Sequence, residues 1–120
     1  MNHRTFFQSF KYSFAGLLHA VAENQNMRIH ILVGVIVISS GWVLRVNTFQ
    51  MGVLGVMILL VIMAEMINTA IEEMVDLIAT EHKRQAKIAK DVASGMVLVA
   101  VIGSVIVGIL IFVPHILNLF

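Results

Sequence analysis

No cysteine occurs anywhere in the 120 residues, which excludes a disulfide framework, an iron–sulfur cluster and a thiol nucleophile, and leaves the redox compartment unreadable. Charge is scarce as well. Asp, Glu, Lys and Arg make up 12% of the chain against 59% apolar residues, and mean hydropathy is +0.95, so a water-soluble globule is excluded. A net charge of +1 is too small to recruit nucleic acid. The G-x-x-x-x-G-K-[ST] and G-x-G-x-x-G loops and the H-R-D and D-F-G signatures are missing, so no soluble kinase or nucleotide-binding fold is encoded; G-x-S-x-G and H-E-x-x-H are missing too. His3, His19, His30, His82 and His115 lack ligand spacing and read as interfacial or packing residues rather than zinc ligands. Lys11 interrupts the first apolar run and no small-residue cleavage pattern precedes the first span, so the amino terminus is expected to stay in the mature chain.

The charges that are present are unevenly placed. Ten of the fifteen lie between Glu65 and Asp91, while 29–44, 46–64 and 92–120 carry none. A membrane helix needs roughly 17–25 apolar residues, so the expectation is one all-α membrane domain over 1–120 with three transmembrane helices, about 29–46, 49–79 and 92–118. Ahead of them, Phe6, Phe10, Phe14, Leu17 and Val21 recur at helical spacing, and Arg4, Gln8, Lys11 and His19 mostly fall elsewhere on the wheel. Residues 4–22 are thus expected to form an amphipathic surface helix on the bilayer, with a helix packed on protein as the alternative. Trp42 and Arg45 suit an interface at the end of the first span. In the third, Ala100, Ser104 and Gly108 repeat every four residues, a stripe suited to close helix packing. Three spans enclose little interior, so an oligomer is expected.

Orientation follows from the basic residues. Arg4, Lys11 and Arg28 precede the first span and Lys83, Arg84, Lys87 and Lys90 join the second to the third, against Arg45 alone on the other side. The positive-inside rule then puts the amino terminus and the 80–91 link in the cytoplasm. From Phe49 to Ala64 a helix rises roughly 24 Å, most of a roughly 30 Å hydrocarbon layer, so Glu65 arrives near the cytoplasmic boundary.

Beyond Ala64, Glu65, Asn68, Glu72 and Asp76 sit at about 0°, 300°, 340° and 20° around a helix, one narrow face. Charge near the apolar layer is costly, so three carboxylates on one side imply a partner or a task. Glu73 and Glu81 read as solvated residues of a helix end; Glu65 still belongs to the apolar span. Carboxylates bind hard cations, and Mg²⁺ is usually held by one or two of them together with nucleotide phosphates. Lys87 and Lys90 could neutralise phosphate beside that metal, and Glu65 is placed to take a proton from a hydroxyl held at the bilayer surface. A phosphoryl-transfer site is one reading. A small proton-coupled transporter, with an intramembrane glutamate carrying the proton, is a second, but it expects a fourth span and acidic residues near mid-depth. A regulatory membrane subunit without chemistry is a third, and it leaves the acidic face unexplained.

The run Glu65-Met66-Ile67-Asn68-Thr69-Ala70-Ile71-Glu72, followed by Val75-Asp76 and by Ala86-Lys87-Ile88-Ala89-Lys90-Asp91-Val92-Ala93-Ser94-Gly95, resembles the signature of the small prokaryotic diacylglycerol kinase and undecaprenol kinase family. Ser9-Phe10-Lys11-Tyr12, Asn26-Met27-Arg28-Ile29-His30 and the three-span plan extend the resemblance over nearly the whole chain. It implies a homotrimeric integral membrane kinase with composite sites between subunits, using ATP and Mg²⁺ to phosphorylate a lipid alcohol. By the same resemblance Glu65 is similar to the catalytic base and Glu72 to a metal ligand. Asn68, Asp76, Lys90 and Asp91 match nucleotide or active-site positions, Tyr12 a nucleotide contact and Ser94 a position near the lipid. Glu81, His82 and Lys83 correspond to a stretch bordering the nucleotide, with Lys83 in place of a family histidine.

At one position the chain departs from that pattern. The family's second metal-binding glutamate falls four residues before Arg28, where this chain has Asn24, with Glu23 just before it. A one-residue shift rotates a helical side chain by about 100°, so Glu23 serves as ligand only if the chain is irregular there; Asn24 could instead offer a neutral oxygen. As for substrate, the Asn68–Glu72 spelling, Arg28-Ile29-His30 and 86–91 look more like undecaprenol kinases, with diacylglycerol as the alternative.

Overall fold

The structure, a computed structural model, describes residues 5–79 and 83–120. They form four helices: α1 (Phe6–Glu23), α2 (Gln25–Val43), α3 (Thr48–Ile78) and α4 (Arg84–Leu117). The last three are long and apolar enough to cross a membrane. An α-helical membrane protein with an additional amphipathic helix is therefore what the chain builds.

Helix α1 starts with a capping box: the Thr5 hydroxyl accepts from the Gln8 N–H at 3.2 Å, and the Gln8 amide oxygen accepts from the Thr5 N–H at 3.1 Å. Its aromatic stripe is not covered by the rest of the chain; Phe6, Phe10 and Phe14 are all exposed. Asn24 ends α1 with an extended backbone and at once caps α2, its side-chain oxygen accepting from the N–H groups of Asn26 and Met27. Arg28 reaches back over this joint and donates to the carbonyls of Val21 at 3.0 Å and Ala22 at 2.8 Å, which α1 itself leaves unpaired.

The α2–α3 turn is a Schellman motif. Val46 N–H donates to Gly41 O at 2.9 Å and Arg45 N–H to Trp42 O at 3.2 Å, with Arg45 at φ 58°, a conformation that favours glycine. This geometry stops α2 at Val43, short of the expected Val46. The other boundaries that move are both N-terminal. Asn24 starts α2 four residues before the apolar stretch, and α4 runs back through Lys90 and Lys87 to Arg84, because that polar segment has helix-forming residues and neither Gly nor Pro. Hydropathy marks the membrane layer, not the helix.

At 1.5 Å per residue α3 and α4 are about 46 and 51 Å long, so both outrun the apolar layer. Helix α3 is the centre of the bundle, packing on α4 most extensively, on α2 next and on α1 at one end. The whole measures 58 × 40 × 20 Å, and 20 Å is about two helix diameters, so little of the apolar surface can be buried within one chain. The glycines that a side chain crowds are on α2. A methyl at Gly34 would sit 2.9 Å from Ile58 Cγ2, and one at Gly41 would sit 2.6 Å from Met51 Sδ. Of the stripe Ala100, Ser104 and Gly108, the last two make no tight seam within the chain. Ser104 and Gly108 line a 180 Å³ cavity with His30, Gly34 and Ile58, and a methyl at Gly108 would meet nothing within 4 Å.

Candidate functional site

Because α3 is unbroken from Thr48 to Ile78, its polar face keeps the angular order read from the sequence. Glu65 is 1% exposed and Asn68 6%, the buried polar side chains among the described residues. A buried carboxylate costs several kcal/mol unless neighbours compensate it. Here they come from the α1–α2 joint. The Asn24 amide donates to Glu65 Oε1 at 2.7 Å and to Thr69 Oγ1 at 2.7 Å, and the Thr69 hydroxyl donates to the Glu65 carbonyl at 3.0 Å. His30 Nε2 stands 3.4 Å from Glu65 Oε2. Since Asn24 is the cap of α2, the carboxylate also lies at the positive end of that helix.

Glu65 opens into a cavity of 290 Å³ between α2, α3 and α4. Asn26, Asn68 and Ser94 supply its polar wall; Ile29, Val97 and Leu98 are among its apolar residues. Asn68 lines this cavity, and its side-chain oxygen is buried without a hydrogen-bond partner.

Farther along α3 the polar residues turn to other helices. Asp76 pairs with Lys90, joining α3 to α4, and Lys87 pairs with Asp91 within α4. Both lysines proposed to meet phosphate are thus already matched by a carboxylate. Glu73, read from the sequence as a solvated residue, is well exposed but is bound to His19 of α1 at 2.7 Å. That carboxylate, through its hydrogen bond and its charge, holds the His19 imidazole above its ordinary value of 6.5, with Glu23 adding to the effect.

The structure therefore brings together Glu65, Asn68 and Ser94, and separately Asp76 and Lys90. Glu72 is half-buried on the same face, Glu23 is exposed at the end of α1, Tyr12 lies on α1 and Lys83 precedes α4. Glu81 and His82 lie outside the described residues. Three residues of the site escaped the sequence reading: Asn24 as a partner of the buried carboxylate, Thr69 and His30. Thr69, at i+4 from Glu65, and His30, an ionisable side chain at the start of a span, both carried a usable signal.

Among the described residues no three His, Asp or Glu side chains gather to hold a metal ion. A Mg²⁺ ion needs only one or two protein carboxylates beside phosphates and water, and the hard carboxylate oxygens of Glu72 and Glu23 fit that donor chemistry.

A helical membrane protein with a buried, hydrogen-bonded carboxylate in a cavity walled half by polar and half by apolar groups is the class that fold and site define. The model of the prokaryotic diacylglycerol kinase family matches residues 11–112, and the chain belongs to that family. It is similar to a diacylglycerol kinase of Synechocystis sp., 42% identical over 112 residues that are 92% of this chain and 64% of that one. An undecaprenol kinase of Bacillus subtilis is 34% identical over 109 residues, 91% of this chain and 89% of the relative. A diacylglycerol kinase of Pseudomonas aeruginosa is 33% identical over 89 residues, 74% and 72% of the two chains. The chain spans just under two thirds of the Synechocystis protein's length.

Proposed function

We propose that this chain is an ATP-dependent lipid kinase that transfers the γ-phosphoryl group of ATP to the hydroxyl of a membrane lipid alcohol. The observation that carries the reading is Glu65: a carboxylate 1% exposed, where the apolar part of α3 gives way to its polar face, in a cavity shared with Asn68 and Ser94. A lipid alcohol matches that cavity, with its hydroxyl against the polar wall and its chains against Ile29, Val97 and Leu98. Family membership and the kinase names of three relatives support the same reaction.

In the proposed step Glu65 takes the hydroxyl proton as the alcohol oxygen forms its bond to the γ-phosphorus, and the bond to the bridging oxygen of ADP breaks. Oε1 is occupied by Asn24, so Oε2 is the oxygen assigned to the proton. Ser94 and Asn68 orient the hydroxyl end of the lipid. Tyr12, Asn68, Asp76, Glu81, His82, Lys83, Lys90 and Asp91 are the proposed nucleotide set. Glu72 and Glu23 are the proposed Mg²⁺ ligands, the ion supplying charge neutralisation at the phosphates. The site faces the cytoplasm, where the basic residues concentrate. A homotrimer with shared sites, implied by the family resemblance, would cover apolar surface that one thin bundle leaves open.

Undecaprenol is the favoured alcohol on the spelling of Asn68–Glu72. Diacylglycerol, named in two of the relatives, is the other. The test is phosphate transfer from labelled ATP to each alcohol by the purified chain in detergent with Mg²⁺. Transfer is expected, and Glu65→Gln is expected to lower it by roughly 10²–10⁴-fold. No transfer to either alcohol, or equal transfer by the variant, overturns the reading. Glu72→Ala is expected to raise the Mg²⁺ requirement; an unchanged Mg²⁺ titration removes it as a ligand.

A further inference from the structure

We infer that Asn24 is a positioning residue for the proposed catalytic base and not a metal ligand: it holds the Glu65 carboxylate in one orientation while capping α2. The inference rests on the kinase reading, and it concerns the position at which the sequence left a metal ligand open.

An asparagine side chain has two N–H donors and two acceptor lone pairs. In this structure every one is engaged. The amide N–H groups go to Glu65 Oε1 at 2.7 Å and Thr69 Oγ1 at 2.7 Å; the oxygen receives the N–H groups of Asn26 at 2.9 Å and Met27 at 3.3 Å. Turning the amide over would set its oxygen against a carboxylate and its NH₂ against two backbone donors, so the partners themselves define the orientation. Thr69 reinforces it, since its own proton is given to the Glu65 carbonyl at 3.0 Å and its oxygen can only accept from Asn24. No lone pair is left for a cation.

Two consequences follow. Asn24 ties three segments together, because its backbone N–H closes the end of α1 on the Ala20 carbonyl while its side-chain amide starts α2 and grips the middle of α3. It also distinguishes the two oxygens of Glu65, restraining Oε1 and leaving Oε2 toward His30 at 3.4 Å. A carboxylate at position 24 would repel Glu65 where the amide attracts it.

Asn24→Asp separates the possibilities, because aspartate caps a helix as well as asparagine does, while the donors to Glu65 and Thr69 are lost and a second carboxylate is set beside Glu65. A positioning role predicts kcat lowered by about tenfold or more in the folded fraction, with KM for ATP and the Mn²⁺ affinity little changed. A ligand role predicts the opposite sign, since a new carboxylate would tighten Mn²⁺ binding and raise activity at limiting metal. Asn24→Ser, which keeps a cap but has no amide, should reproduce the lowered kcat. A readout without turnover accompanies these assays: the Asn24 side-chain amide resonance, in ¹⁵N-asparagine-labelled protein, is expected to move on Glu65→Ala. An unmoved resonance, or Asn24→Asp with undiminished kcat or tightened Mn²⁺, overturns the assignment. If wild type phosphorylates neither alcohol while the resonance still responds to Glu65→Ala, it is the kinase reading that fails and the contact that stands.

Discussion

Around Val46, Leu54 and Ile111 the helices are joined by apolar side chains alone, with Ile38 and Phe112 packed against them, whereas around Glu65 they are joined by hydrogen bonds and ion pairs. The two ends of one bundle are thus built to different ends. Apolar packing of this kind is insensitive to pH or salt. At the other end, Lys90–Asp76 and Lys87–Asp91 are largely exposed pairs of the kind worth about 1 kcal/mol or less. Such contacts add little stability but can be exchanged for a phosphate or a metal at small cost. The buried exception is Glu65, whose carboxylate is held by neighbours rather than by solvent.

Substitutions at the two ends should therefore divide between activity and stability. Glu65→Gln is expected to have the largest effect of all, the loss of activity given above, with a thermal midpoint in detergent equal to or above wild type because a buried charge disappears. Unfolding of that variant would show the carboxylate to be structural and would erase the contrast. Leu54→Ala, at the opposite end, should lower stability by about 2–5 kcal/mol in thermal or denaturant unfolding while the folded fraction keeps its turnover. Full stability in that variant would mean that the apolar cluster is not what holds the helices. Arg45→Gly relieves a left-handed residue at the same end, and a gain of about 1 kcal/mol with unchanged activity is expected.

The smallest effect sharpens the contrast at the polar end. His19 is raised above 6.5 by Glu73, so the pair's contribution to docking α1 on α3 is complete below that value and fades as pH climbs through the raised one. An NMR titration of the His19 ring should give a midpoint above 6.5 in wild type and one nearer 6.5 in Glu73→Gln. Identical midpoints would remove the pair as a link between the two helices.

Much of the architecture was legible because hydropathy is a local property. The charge-free stretches and the periodic aromatics of α1 mark where apolar surface must meet lipid, and the helices were found in those places. Their ends were less legible. Arg45 in a left-handed turn, the cap at Asn24 and the helical 84–91 segment depend on hydrogen bonds and backbone geometry that an apolar count does not register. In the site, Glu65, Asn68, Glu72 and Asp76 could be placed on one face because that face belongs to a single uninterrupted helix. Which of them would meet which neighbour could not be read, since Asn24 is 41 residues from Glu65 and His19 is 54 from Glu73.

What 120 residues determined unaided is the set of helices that cross a bilayer and the edge of α3 on which its oxygens line up, for both follow from a fixed rise and turn per residue. Only the packing of α1, α2 and α4 around that edge decided that Glu65 would be buried under an asparagine, that Asp76 would be matched by Lys90, and that Ser104 and Gly108 would face a cavity instead of a helix. Those outcomes depend on distances between segments remote in the chain, and no local periodicity encodes them.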